Sequence, residues 1–223
     1  MDALIRNDVY ELRRISRFFF RVSGIYQRVC NYFANMYRYD WAIAIQSNNG
    51  DGSTKDINET KAVKDFWRIL NYLDNSYIKK ICGDIALEVI KCGAYYGYLV
   101  PSSSGLVLQQ LPIDFCRSRY SVGNLPAIEF NMKYFDTFTD TNYRNRILKL
   151  FPDEFTTGYR LYKAGKLVPD VAGDNSGSWY LLDPQSTIKF ALNGLNDLPL
   201  FINAIPAILD LDAAQDLDRR KQM

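Results

Sequence analysis

Tyr95–Leu111 reads YYGYLVPSSSGLVLQQL, two apolar runs flanking Ser-Ser-Ser-Gly. A turn-rich tetrapeptide between such runs is a hairpin signal, so the chain changes to β structure here. The sequence before it is helical in period. Ser76 is placed to open a helix with Ile78, Ile81, Ile85, Val89 and Ile90 inward and Gly93 as C-cap. Upstream, Val63, Phe66, Trp67, Leu70 and Leu73 repeat at helical spacing, and Asp56 with Glu59 three residues on makes a capping-box-like start.

Downstream, Phe115–Tyr120 and Ala127–Asn131 flank Ser-Val-Gly-Asn-Leu-Pro, which predicts a second hairpin. Short helices are expected at 140–150 and 152–164, the latter with Pro152 in its first turn. Residues 171–178 read as a Gly/Ser loop. Trp179–Leu182 and Thr187–Ala191 read as a last strand pair around Asp183-Pro184, where Asp183 is expected to accept backbone N–H bonds. Helices first, hairpins later and no βαβ alternation predict an α+β fold with a mostly antiparallel sheet.

The start of the chain is unlike either region. Glu11–Met36, ELRRISRFFFRVSGIYQRVCNYFANM, holds five arginines, three consecutive phenylalanines and no lysine. Asn7 or Asp8 can cap a helix to about Val22, with Val9, Leu12, Ile15 and Phe19 as its apolar stripe. Arg13, Arg17 and Arg21 follow at intervals of four on a neighbouring face. Ser23-Gly24 breaks this helix, and a second runs from Ile25 to about Tyr37 with Val29, Tyr32, Phe33 and Met36 on one face. Trp41–Gln46 reads as a strand and Asn48–Ser53 as a turn-rich loop.

Composition removes many mechanisms. Net charge is +2, which lacks the basic excess of a protein gripping nucleic acid over its whole surface. There is no histidine, so Ser-His-Asp and Cys-His pairs and HExxH sites cannot be built from this chain. The four cysteines, Cys30, Cys82, Cys92 and Cys116, form no CxxC pair and read as buried apolar residues in a reducing compartment. No GxxxxGK[ST] loop occurs, and no apolar run reaches the roughly 18 residues of a membrane span. A soluble, non-enzymatic protein without cofactor, metal or membrane partner is expected.

Three segments carry a family resemblance. SRFFFRVSGIYQRVCNYFANMYRYDW (Ser16–Trp41), LPIDFCRSRYSVGNLPAIEFNMKYFD (Leu111–Asp136) and SWYLLDPQSTIKF (Ser178–Phe190) together resemble, in order, the early helices, the Leu-Pro-x-Asp-Tyr-Cys-Arg hairpin and the Trp-x-x-Leu-Asp-Pro segment of tailed-bacteriophage portal (head–tail connector) proteins. The resemblance implies a ring, commonly of twelve copies, at one capsid vertex. Double-stranded DNA would pass through it non-specifically during packaging and ejection. Terminase, a tail or collar adaptor and the major capsid protein would be further partners, the site of action being the virion after assembly in the bacterial cytoplasm. In this frame residues 1–197 form a wing-like α+β domain. Residues 198–223 approach a long, stem-like helix in a chain that continues past Met223.

The arginines keep several readings. Arg13, Arg14, Arg17, Arg21 and Arg28 could pair within the domain or with a neighbouring subunit, solvate a helix face, or contact DNA. In a ring, one surface meets a different surface of the next copy. The acids of DLDAAQDLDRRKQM, Asp210, Asp212, Asp216 and Asp218, are the expected counterparts. The alternative function is a nucleic-acid-binding protein using the N-terminal Arg-rich helices. Phe18–Phe20, Tyr95–Tyr98 and Tyr134–Phe135 could stack bases, but core packing accounts for them more simply.

Overall fold

A computed structural model describes residue 6 and residues 8–36, 59–101, 105–168, 177–192 and 197–221. The chain is α+β, with N-terminal helices followed by antiparallel sheets. Helices α1 (Val9–Val22), α2 (Gly24–Asn35), α3 (Glu59–Asn75) and α4 (Ile78–Cys92) precede strands β1 (Ala94–Pro101), β2 (Leu106–Gln110), β3 (Cys116–Val122) and β4 (Leu125–Asn131). Then come α5 (Thr141–Leu150), α6 (Asp153–Lys163), β5 (Trp179–Leu181), β6 (Thr187–Ala191) and α7 (Ile205–Lys221). The expected strand Trp41–Gln46, the loop Asn48–Ser53, the cap at Asp56 and residues 171–176 lie outside the described residues.

Two compact units divide the chain. One comprises Met1–Gly93, Pro101–Val107 and Leu198–Met223, the other Ala94–Val100 and Leu108–Asp197. Residues 198–223 therefore join the N-terminal helices, where the sequence reading sets them apart as their own segment.

In the helical unit, caps fix the chain direction. The Asp8 carboxylate accepts the Glu11 N–H at 3.1 Å, and the Ser23 hydroxyl accepts the Tyr26 N–H at 3.3 Å. Ser23 thus ends α1 and opens α2, as the Ser-Gly break predicts. Gly93 ends α4 at φ 88°, a conformation that costs a residue with a Cβ. Ser76 does not open α4, which starts at Ile78. Its hydroxyl instead donates to the Tyr72 carbonyl and accepts the Leu106 N–H, both at 2.7 Å, tying the start of β2 to the end of α3.

The core of this unit gathers Leu12, Tyr26, Cys30, Ala34, Ile90, Ile202, Ile205 and Ile208, with Ile15 and Phe19 packed against it. The α1 stripe is as the spacing predicts. On α2, Tyr26, Cys30 and Ala34, four residues apart, go inward, while Tyr32 is 68% exposed and Phe33 and Met36 are exposed too. Small side chains at Cys30 and Ala34 let α2 approach its neighbours closely. The Tyr26 hydroxyl can sit inside because Ser16 Oγ lies 2.8 Å away.

The other unit holds two three-stranded sheets, ordered β2-β1-β6 and β3-β4-β5. The last two strands do not pair with each other. β5 lies on β4 (Phe130↔Tyr180) and β6 on β1 (Gly97↔Ile188). The Asp183 turn between them carries the chain from one sheet to the other. The second hairpin is tighter than its sequence suggests. Val122 pairs with Leu125, leaving Gly123-Asn124 as the turn, with Gly123 at φ 62°. Phe130, Phe135 and Phe155 are fully buried beneath this hairpin, with the Phe130 and Phe155 rings edge to face at 5.1 Å.

Candidate functional site

The arginines of α1 divide by destination. Helix α4 ends with backbone carbonyls that have no partner inside the helix, and α1 supplies the donors. Arg13, 8% exposed, donates from Nε to the Cys92 carbonyl at 2.9 Å, and Ser16 Oγ donates to the Lys91 carbonyl at 2.6 Å. Arg17 adds an Nε contact to Cys92 Sγ at 3.4 Å. Cationic groups against a helix C-terminus also complement its negative end. Arg14 turns outward and grips Glu11 with two bonds of 2.6 and 2.8 Å. Of the five arginines in the sequence pattern, three thus have partners within the chain.

Arg21 and Arg28 are exposed, and among the described residues neither has an ion-pair partner. They sit among apolar side chains that are also wet. Phe18 is 58% exposed on α1 with Val22 beside it in the helical period, and Tyr32 and Met36 follow Arg28 at intervals of four on α2. On each helix these residues lie on the side opposite the core that Leu12, Tyr26 and Cys30 define. The sequence pattern places the arginines here and groups Val29, Tyr32, Phe33 and Met36 on one face of α2 without fixing which way that face points.

The acids lie on α7. Asp210 is exposed, as are Leu209 and Leu211 beside it, whereas Ile205 and Ile208 are buried. Asp212, Asp216 and Asp218 belong to the same helix, with side chains outside the described residues.

The sheet unit contains polar clusters that no sequence signal announced, because their members are far apart in the chain. Tyr98 Oη donates to Glu154 Oε2 at 2.8 Å, and the Asp183 N–H donates to Glu154 Oε1 at 2.8 Å. Asp183 accepts Ser186 Oγ at 2.7 Å and the Gln185 N–H at 3.1 Å, the turn role expected of it. Those bonds, the one from Ser186 foremost, hold its carboxyl below the usual range. Burial pushes Tyr98 up to about 12, and the Glu154 carboxylate adds to the shift.

A second cluster centres on Asp136, which accepts Tyr159 Oη at 2.7 Å and Lys163 Nζ at 2.8 Å. Burial would raise this carboxyl, but the bonds from Lys163, Tyr159 and Tyr162 outweigh it and hold it low. A third stacks Arg117 on the Trp179 ring at 3.8 Å while its Nε meets Glu129 at 2.7 Å. In each cluster the carboxylates face hydroxyls, amides or cations. Asp114 lies in the short turn Ile113–Phe115.

Among the described residues no group of three or more His, Cys, Asp or Glu could hold a metal ion, and no helix is long and apolar enough to cross a membrane. No family model, curated protein or solved structure matches this chain.

Proposed function

We propose that this chain is a subunit of a portal-type ring, a non-enzymatic conduit for double-stranded DNA at a capsid vertex. The observation that carries the reading is the outward face of α1 and α2. Phe18, Val22, Tyr32 and Met36 are wet in the isolated chain, interleaved with Arg21 and Arg28. Exposed aromatic and arginine side chains are the composition of a protein interface. The ordered resemblance of Ser16–Trp41, Leu111–Asp136 and Ser178–Phe190 to portal proteins names the kind of assembly. The same resemblance brings the terminase, the adaptor and the capsid protein as partners and the virion as the place of action. Near-neutral charge suits a conduit, since strong phosphate binding along a wall would hold DNA in place.

The competing reading, a nucleic-acid-binding protein, needs the N-terminal arginines free for phosphate. Of the five arginines of α1 and α2, Arg13, Arg14 and Arg17 make bonds within the chain, while Arg21 and Arg28 have no ion-pair partner among the described residues. Electron microscopy of the purified chain tests the choice. The portal reading expects closed rings with a central hole. Monomers with salt-dependent DNA affinity would overturn it in favour of the alternative.

A further inference from the structure

We draw no further inference here: the strongest candidate, the flank of helix α3 on which Val63 and Trp67 stand exposed one turn apart, is an apolar face with nothing among the described residues to show what covers it.

Discussion

Arg13 and Cys92 are 79 positions apart in the chain, yet the guanidinium Nε donates to the Cys92 carbonyl at 2.9 Å in the interior of the helical unit. The bond satisfies an orphan acceptor at the end of α4, and the charge answers the helix dipole there. Removing the side chain strands a buried carbonyl. Arg13→Ala is expected to lower unfolding stability by about 1.5–3 kcal/mol, measured by urea titration. Arg14→Ala, one position on, removes only an exposed pair with Glu11 and is expected to leave the melting temperature unchanged. Equal effects at the two positions would sink the distinction between a buried cap and a surface pair.

Gly158 on α6 tests packing in the sheet unit. A Cβ added there would run into the Met132 side chain and lie 2.9 Å from Tyr180 Cγ. Met132 can swing aside, but the Tyr180 ring is anchored on a strand, so Gly158→Ala is expected to cost about 1–3 kcal/mol. The same substitution at Gly83 in α4 meets open space. Gly83→Ala is expected to stabilise by about 0.5–1 kcal/mol, because alanine loses less backbone freedom in a helix. Opposite signs from one chemical change would show that local space decides the outcome.

Thiol accessibility gives a further check. Cys82 is exposed, while Cys30, Cys92 and Cys116 are buried. Burial pushes Cys30 and Cys92 up to about 11, so at neutral pH they are protonated as well as shielded. Titration of the native chain with a thiol reagent at pH 7 is expected to modify Cys82 rapidly and the other three only on denaturation. Rapid reaction of Cys30 or Cys92 would mean that the helical core opens readily.

Local signals carried most of the fold. The caps at Asp8, Ser23 and Gly93, the α1 stripe and both hairpins are legible because each depends on residues within a few positions of one another. What failed depends on distant choices. The inward face of α2 could be Tyr26-Cys30-Ala34 or Val29-Tyr32-Phe33-Met36, and only the hydroxyl of Ser16, ten positions before Tyr26, decides it by meeting the buried phenol. The split of β5 and β6 between sheets is a similar case, since both look alike as strands and their partners lie 50 to 100 residues upstream. For the candidate surface, the arginine pattern was visible, but not that Arg13 and Arg17 serve Cys92.

The absent histidine has a consequence for stability against pH. No side chain of this chain ordinarily titrates between about 5.5 and 8, so stability is expected to be nearly flat over that range. Above it the buried acids take over. Cys30 and Cys92 move from 9.0 to about 11 and Tyr26 from 10.0 to about 12, each chiefly through burial. These groups are neutral when protonated, and burial penalises the anion. Below pH 9 both folded and unfolded chains hold the protons, and stability is fully present. Between 9 and 12 the unfolded chain releases them while the native chain retains them, so unfolding gains free energy as pH rises. The expected loss by pH 11 is on the order of 4 kcal/mol, measured as the fall in urea midpoint between pH 8 and 11. Tyrosinate absorbance should show Tyr26 ionising only with unfolding. A stability that held constant to pH 11 would mean that these three groups are not in the core.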